Sequence, residues 1–220
     1  MEQARASPVH SMAAATCPSC SVEKTDGPRC EHCGAAFRAG GYAILRTIAQ
    51  GPLGRMYEAI GKNGERVALK ELIFALVPDA ATLDAFEREA ALLKAIHHPQ
   101  IPRFVDAFSE GTGVNTRLYL AQEFVEGEPL LQSFSRQKLA PEEARQLAFQ
   151  VLAVLDALHG REPPVLHRDV KPANLIRRPD GSVALVDFGS ARLLPRGATH
   201  RATLVGTFGY MPLEQMGGTV

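Results

Sequence analysis

Three polar residues on one short stretch, and a fourth further along the chain, are of types that suit chemistry on a charged substrate. Asp169 is followed by Lys171 and Asn174, and Asp187 comes directly after the apolar run Val183–Val186. A carboxylate can accept a proton, an ammonium group neutralises negative charge, and carboxylate and amide oxygens bind Mg²⁺. This set suits phosphoryl transfer, in which catalysis consists mainly of positioning and charge neutralisation around metal-bound phosphates.

The sequence around these residues is typical of a known family. Positions 167–174 read His-Arg-Asp-Val-Lys-Pro-Ala-Asn, and positions 187–189 read Asp-Phe-Gly. Together with the motifs below, they make residues 42–220 resemble a bacterial-type (eukaryotic-like) serine/threonine protein kinase. The resemblance implies ATP-dependent phosphoryl transfer to Ser/Thr hydroxyls of a protein substrate.

The resemblance also implies a role for each polar residue. Asp169 would accept the proton of the substrate hydroxyl, Lys171 would neutralise the transferred phosphoryl group, and Asn174 and Asp187 would bind Mg²⁺. A lysine at position 171 is typical of serine/threonine kinases rather than tyrosine kinases. Any one aspartate could be a solvated loop residue, but the whole set at these intervals favours the kinase interpretation.

A turn with two glycines lies where the family binds nucleotide phosphates. Gly51 and Gly54 fall between Ala49 and Met56. Glycines let the backbone fold closely over phosphates because no side chain intervenes. The family has a third glycine where this chain has Ala49, and Pro52 removes one backbone donor, so we expect a weaker phosphate cradle. Two glycines at a turn are weak evidence by themselves.

A lysine and a glutamate are predicted to form the ion pair that the family uses to hold ATP. Lys70 ends the apolar run Val67–Leu69, a position that a solvated strand end could also occupy. The periodicity of Leu83–Ile96 predicts a helix that carries two candidate partners, Glu87 and Glu89. They lie about 200° apart around the helix, so only one can face Lys70. The family pattern favours Glu89.

The strand predicted over Leu118–Phe124 leads into a segment that resembles the hinge between the two kinase lobes. There the Glu123 carbonyl and the Val125 N–H would bind adenine. The residues that the resemblance assigns to ATP are Gly51, Gly54, Met56, Ala68, Lys70, Glu89, Glu123 and Val125.

The stretch after Asp187 resembles the activation segment of the family. Thr203 is the first candidate for regulatory phosphorylation and Thr199 the second, and Arg168 could bind the added phosphate. Thr207 resembles the residue that binds near the catalytic base and favours Ser/Thr substrates. The simpler interpretation of Thr199 and Thr203 is that both are surface threonines on a flexible loop.

All four cysteines of the chain lie close together and form two Cys-x-x-Cys pairs: Cys17, Cys20, Cys30 and Cys33. Two such pairs can complete a tetrahedral sulfur shell around Zn²⁺, so residues 17–37 resemble a short zinc ribbon. A redox pair or two disulfides are the alternatives, and a reducing compartment disfavours them. His32 could replace one cysteine as a ligand. Four protein ligands leave no open position, which indicates a structural site.

The composition argues against several classes of function. The 220-residue chain has 24 basic and 24 acidic residues, which disfavours a nucleic-acid or membrane-surface binder. No apolar run is long enough to span a bilayer, and the N-terminus has no apolar signal core. We therefore expect a cytoplasmic protein that binds neither membrane nor nucleic acid through this segment. Residues 1–16 are predicted to be a disordered leader.

The predicted organisation is α+β, with a small zinc ribbon ahead of a two-lobed, protein-kinase-like fold. Residues 42–125 would form the N-lobe, an antiparallel sheet with one helix, and residues 126–220 an incomplete, mainly helical C-lobe. A long helix is predicted over Glu142–His159. Because the family fold continues further, the chain by itself could be inactive. The alternative is a non-catalytic nucleotide-binding or scaffold module that binds a protein partner through the ribbon or the incomplete C-lobe face.

Overall fold

The computed structural model describes residues 16–23, 27–194 and 206–216. The predicted leader, apart from Thr16, lies outside these residues, and so do Thr199 and Thr203.

The first half of the described chain is built on a six-stranded antiparallel sheet with the order β1-β2-β3-β4-β6-β5. Its strands are β1 (Arg38–Ala39), β2 (Tyr42–Gln50), β3 (Gly54–Ile60), β4 (Arg66–Ile73), β5 (Phe104–Glu110) and β6 (Arg117–Glu123). Successive side chains of a strand point to opposite faces. On β4, Val67, Leu69 and Glu71 therefore share one face, and Lys70 lies on the other. Lys70 and its neighbour Glu71 are thus directed to different layers.

Helix α1 (Ala80–Ala95) packs on the face of the sheet that carries Lys70. Its N-terminus is capped by Asp79, whose carboxylate accepts the Thr82 N–H at 2.9 Å. Phe86, Glu89 and Leu93 lie on its buried face. The helix predicted over Leu83–Ile96 is therefore confirmed, with a start one turn earlier.

The second half of the described chain contains short strands and three helices. The strands are β7 (Glu128–Pro129), β8 (Val165–Leu166), β9 (Leu175–Arg177), β10 (Val183–Leu185) and β11 (Arg192–Leu193). The helices are α2 (Leu130–Arg136), α3 (Pro141–His159) and α4 (Leu213–Met216). The strands pair as a three-stranded sheet, β10-β9-β7, and a two-stranded sheet, β11-β8. These small sheets place the loops that carry the candidate catalytic residues.

Helix α3 is the helix predicted over Glu142–His159. It begins at Pro141, where a missing N–H costs no hydrogen bond, and the Glu143 carboxylate accepts the Ala140 N–H at 3.0 Å. Val154 and Leu158 are buried in the main apolar core. Phe149 and Leu152 are on the opposite side and are 60% and 59% exposed.

Two apolar clusters stabilise the fold. The main one joins α1, the sheet and α3 through residues such as Leu93, Leu120 and Val154. The second lies on the other face of the sheet and joins the cysteine-containing segment to strands β2, β3, β4 and β6, with Phe37, Tyr57 and Leu69 among its members. The cysteine-containing segment therefore shares a core with the sheet.

Residues 38–43 form a tight hairpin with Gly40 and Gly41 at its turn. Arg38 and Ala39 pair with Ala43 and Tyr42, so β1 extends the main sheet by one strand. Both glycines of the turn have positive φ, 59° at Gly40 and 112° at Gly41. Glycine adopts such angles at no steric cost, so these two residues permit a sharp reversal of the chain.

Among the described residues, no helix combines the length and the apolar character needed to cross a membrane.

Candidate active site and cysteine cluster

Lys70 lies at the centre of an ion-pair network between the sheet and α1. Its ammonium nitrogen is 2.6 Å from Glu89 Oε2 and 3.2 Å from Asp187 Oδ1. Glu89 is 2% exposed, whereas Glu87 is on the exposed side of α1. The structure thus places Glu89, and not Glu87, beside the lysine.

The charges in this network depend on one another. Burial by itself would lower the pKa of Lys70, but the carboxylates of Glu89 and Asp187 outweigh it and raise that pKa. Burial tends to raise the pKa of Asp187, and the Lys70 ammonium reverses the effect and lowers it. Burial raises the pKa of Glu89 despite the neighbouring lysine. Lys70 is therefore held as a cation where it can meet a phosphate group.

Asp169 is held by three side chains that donate to its carboxylate, those of Lys171, Thr207 and Asn174. The Lys171 ammonium is 2.8 Å from Oδ2, and the Thr207 hydroxyl donates to Oδ1 at 2.7 Å. Lys171 also donates to the Thr207 hydroxyl at 2.6 Å. Burial would raise the pKa of Asp169, but the hydrogen bonds from Lys171 and Thr207 lower it. The carboxylate is therefore ionised at neutral pH and able to accept a proton.

Asn174 is oriented by Asp169. Its side-chain nitrogen donates to the Asp169 carbonyl at 2.9 Å and to Asp169 Oδ2 at 3.0 Å. This leaves the amide oxygen Oδ1 as the group that could bind a cation. The Val186 N–H donates to the Asn174 carbonyl at 2.9 Å, which ties this loop to the residue before Asp187.

The Asp187 loop offers a second oxygen that could bind a cation. Oδ1 of Asp187 accepts from Lys70 and, at 3.4 Å, from the Gly189 N–H. Among the contacts of the described residues, Oδ2 is left for a metal. Asp187 has a φ of 64°, an angle that non-glycine residues rarely adopt and that often occurs at functional sites. Phe188 is buried against the edge of the His167 ring and anchors the loop. Carboxylate and amide oxygens are a donor set that fits Mg²⁺.

A cleft of about 440 Å³ opens beside this network. It is lined by the glycine turn and by the charged residues above, including Gly51, Gly54, Met56, Lys70, Glu89 and Asp187. Three predicted ATP contacts lie outside its lining. Ala68 pairs with Gln122 in the sheet, and Glu123 and Val125 line a second cavity of about 340 Å³.

The two glycines of the turn have different surroundings. A side chain at Gly54 would place its Cβ 1.8 Å from the Glu71 carbonyl oxygen, so the close approach of β3 to β4 requires glycine. A Cβ at Gly51 would meet nothing within 4 Å. The Gly51 N–H donates to the Gly54 carbonyl at 3.0 Å and closes the turn. The space beside the Gly51 backbone is therefore open, whereas that beside Gly54 is filled by β4.

The loop that carries Asp169 also contacts Gly206 and Gln215, which the sequence analysis does not single out. The buried amide of Gln215, on α4, donates to the Arg168 carbonyl at 2.8 Å. Gly206 has a φ of 131°, and a Cβ there would lie 2.7 Å from the same carbonyl. In the sequence, the glycine beside Thr207 is the feature that indicates this close approach to the Arg168 carbonyl.

The four cysteine sulfurs form one compact cluster within 4.8 Å of one another. The Cys17 and Cys33 sulfurs are 3.6 Å apart, as are those of Cys20 and Cys30. Tetrahedral Zn²⁺ with Zn–S bonds of about 2.3 Å places sulfurs about 3.8 Å apart. A disulfide would need about 2.05 Å, so all four thiols are free. The cluster fits a structural Zn²⁺ site, and His32 is exposed outside it.

Comparison with known proteins gives a consistent result. Residues 42–219 match the sequence profile of the protein kinase domain. Serine/threonine-protein kinase B of Synechocystis sp. is 32% identical over 206 residues, which cover 85% of this chain and 35% of that protein.

Two further relatives come from distant organisms. Serine/threonine-protein kinase PknA of Mycobacterium tuberculosis is 33% identical over 181 residues, covering 80% of this chain and 42% of that protein. Serine/threonine-protein kinase Nek2 of Homo sapiens is 35% identical over 188 residues, covering 81% and 42%. The chain thus spans well under half the length of these relatives.

Proposed function

This chain belongs to the protein kinase domain family, and from that premise we propose that it transfers the γ-phosphoryl group of ATP to serine or threonine hydroxyls of proteins. The observation that supports the proposal is that two sets of interacting side chains lie on loops joined by the hydrogen bond from the Val186 N–H to the Asn174 carbonyl. Lys70 is bound by Glu89 and Asp187, and Asp169 accepts a hydrogen bond from a hydroxyl, that of Thr207. The first set suits a nucleotide phosphate and the second an acceptor hydroxyl.

On the nucleotide side, Lys70 donates to phosphate oxygens while Glu89 holds the ammonium in place. Asp187 Oδ2 and Asn174 Oδ1 would hold Mg²⁺, which when bound neutralises negative charge on the phosphates. The Gly51 backbone would approach the phosphates closely, because it carries no side chain and the space beside it is open. Glu123 and Val125 would bind adenine through their backbone groups, and Met56 and Ala68 would pack against it, as the resemblance implies.

On the acceptor side, the ionised Asp169 carboxylate orients the substrate hydroxyl and accepts its proton. The Thr207 hydroxyl already donates to Oδ1 of this carboxylate, which is consistent with such a role. Lys171 bridges Asp169 and Thr207 and offers its charge to the transferred phosphoryl group. Because the Thr207 hydroxyl binds both Asp169 and Lys171, this arrangement favours a substrate with a serine or threonine hydroxyl.

The proposal is tested with the full chain, radiolabelled Mg–ATP and a basic protein acceptor. Asp169→Asn keeps the size of the side chain and removes its ability to accept a proton. We expect this change to reduce phosphotransfer by about 10²- to 10⁴-fold, the usual contribution of a general base. ATP binding without turnover in the unmodified chain would contradict phosphotransfer and support the non-catalytic nucleotide-binding module.

We also propose that phosphorylation of Thr203 activates the chain through Arg168. One guanidinium nitrogen of Arg168, Nη1, is buried without a hydrogen-bond partner among the described residues. Burial lowers the pKa of Arg168, and the positive charges of Arg192 and Arg88 lower it further. Three cations that repel one another are a favourable environment for a phosphate, which offers several acceptor oxygens.

For this regulation, we expect chain phosphorylated on Thr203 to be at least about tenfold more active than dephosphorylated chain. Mass spectrometry establishes the phosphorylated residue, and phosphotransfer is measured before and after phosphatase treatment. Thr203→Ala should abolish the difference, and Thr199→Ala should retain it. The reverse pattern would assign the role to Thr199, and a difference that survives both substitutions would exclude both residues.

The cysteine cluster is proposed to bind one structural Zn²⁺, because its four thiols have the number and spacing of tetrahedral ligands. Free thiols of this kind persist in reducing compartments, which supports a cytoplasmic location.

A further inference from the structure

The cysteine-containing segment touches both strands that flank the turn with the two glycines. We call residues 17–20 the first knuckle, residues 30–34 the second knuckle, and residues 50–54 the glycine loop. Strand β2 leads into the glycine loop and β3 leads out of it. In each knuckle, one backbone carbonyl accepts a hydrogen bond from one of these strands.

The first knuckle binds the incoming strand. The Pro18 carbonyl accepts the Thr47 N–H at 3.2 Å. The pairing of β2 with β3 is irregular between Thr47 and Ala49, just ahead of the glycine loop. The first knuckle therefore contacts β2 where the regular pairing of β2 with β3 is interrupted.

The second knuckle binds the outgoing strand through Arg55. This residue directly follows Gly54, and its Nη2 donates to the carbonyl of Cys33, one of the four cluster cysteines. Its Nη1 is 3.7 Å from Glu71 Oε2. The Arg55 side chain is only 9% exposed, so these interactions are shielded from water. A guanidinium group can bind a carbonyl and a carboxylate at once because its donors form a planar fork.

Glu71 connects this contact to the rest of the segment. It follows Lys70 on β4, and its side chain is fully buried on the opposite face. Its carboxylate accepts from Arg29 at 2.7 Å, from the Tyr57 hydroxyl at 2.8 Å and from the Tyr119 hydroxyl at 2.9 Å. A buried carboxylate is costly unless it is paired and hydrogen-bonded. Within the shared apolar cluster, the contact therefore includes a buried polar network, to which the cysteine segment contributes Arg29.

We propose that the cysteine cluster sets the position of the glycine loop, with Arg55 as the positioning residue, so that Zn²⁺ occupancy controls the affinity for nucleotide phosphates. Zn²⁺ would fix the two knuckles relative to each other, and their carbonyls would fix β2 and β3. The nucleotide part of this inference rests on the proposed function. The mechanical part, a metal-dependent clamp on the glycine loop, does not.

The matched pair Arg55→Lys and Arg29→Lys tests the positioning role. Both changes keep a positive charge beside Glu71, but only Arg55 joins the knuckle to the glycine loop. We expect Arg55→Lys to lower the affinity for Mg–ATP about tenfold, the value of one charge-assisted hydrogen bond. The affinity for adenosine, which has no phosphates, should change less than about twofold in the same chain. Arg29→Lys should leave the ratio of the two affinities unchanged.

The positioning role would be overturned if Arg55→Lys lowered the affinities for ATP and adenosine equally. It would also be overturned if Arg29→Lys changed the ratio of the two affinities as much as Arg55→Lys does. Unchanged ATP affinity in Arg55→Lys would overturn it as well. Fluorescence or calorimetric titration of the full chain supplies the affinities, and the melting temperatures of both variants show that each is folded.

Hydrogen exchange tests the clamp without nucleotide. Zn²⁺ is removed from the full chain with a chelator and then restored. We expect removal to increase exchange of the amides at 47–56 at least about tenfold, while amides of β6 stay protected. Unchanged exchange at 47–56, or an equal increase in β6, would overturn the clamp. A zinc-dependent response at 47–56 in a chain that fails to bind ATP would contradict the proposed function and leave the clamp standing.

Discussion

At the level of single residues, the environment of each charged group determines its role. Glu87 and Glu89 are two positions apart on α1, yet one is solvated and the other is buried beside Lys70. Removing the partner of a buried charge leaves the other charge uncompensated, which is far more costly than losing a surface ion pair. The two glutamates therefore form a natural matched pair for mutagenesis.

Glu89→Gln is expected to reduce phosphotransfer by about 10²-fold, because Lys70 loses the carboxylate that orients it toward phosphate. Glu87→Gln should change the rate by less than about twofold, since an exposed glutamate holds nothing in the site. Steady-state kinetics with Mg–ATP measures both. Equal effects of the two substitutions would show that the Lys70–Glu89 pair has no special role.

At the level of elements, the antiparallel pairing of β3 with β4 depends on a glycine. Gly54 lies opposite Leu72, and the backbone of β4 occupies the space that a Cβ would need. The first residue of β3 is therefore constrained by the neighbouring strand rather than by the nucleotide. Gly51, three positions earlier, has no such neighbour.

Gly54→Ala is expected to lower the free energy of unfolding by about 1–3 kcal/mol, because the added methyl group forces β3 away from β4. Gly51→Ala should change it by less than about 0.5 kcal/mol, as is usual for substitutions without close contacts. Urea denaturation of both variants gives these values. A Gly51→Ala variant as unstable as Gly54→Ala would contradict the assignment of the strain to the β3–β4 contact.

At the level of the whole molecule, the cysteine segment and the sheet share one apolar cluster. Cys17 and Cys30 are buried together with Tyr57, Leu69 and Tyr119. The opposite face of the same sheet packs against α1 and carries Lys70. The sheet is thus a layer between a proposed metal site and a proposed nucleotide site.

Cys17→Ser is expected to reduce bound Zn²⁺ from about one per chain to well below that. The melting temperature should fall by about 5 °C or more, because binding of a structural metal contributes directly to folding. His32→Ala should change neither quantity, since His32 is exposed outside the sulfur cluster. Metal analysis and thermal denaturation in reducing buffer measure both. Zinc loss in His32→Ala would show that histidine replaces a cysteine as ligand.

Much of the local structure could be predicted from the order of residues. The helix over α3 follows from its apolar periodicity and from Pro141 at its start, which act within a few turns of chain. The choice of Glu89 over Glu87 required only helix geometry and the family pattern. The spacing of Asp169, Lys171 and Asn174 placed three functional groups on one loop, since neighbours in sequence cannot be far apart in space.

The way the cysteine segment packs on the sheet could not be predicted from any local pattern in the sequence. Arg29 and Glu71 are 42 positions apart, and no local pattern distinguishes either from a solvated surface charge. Their pairing exists because the sheet presents one face to α1 and the other to the knuckles, which places Glu71 in an apolar layer where it requires cations. Burial depends on how elements pack against one another, so the residue types at positions 29, 55 and 71 do not by themselves predict it.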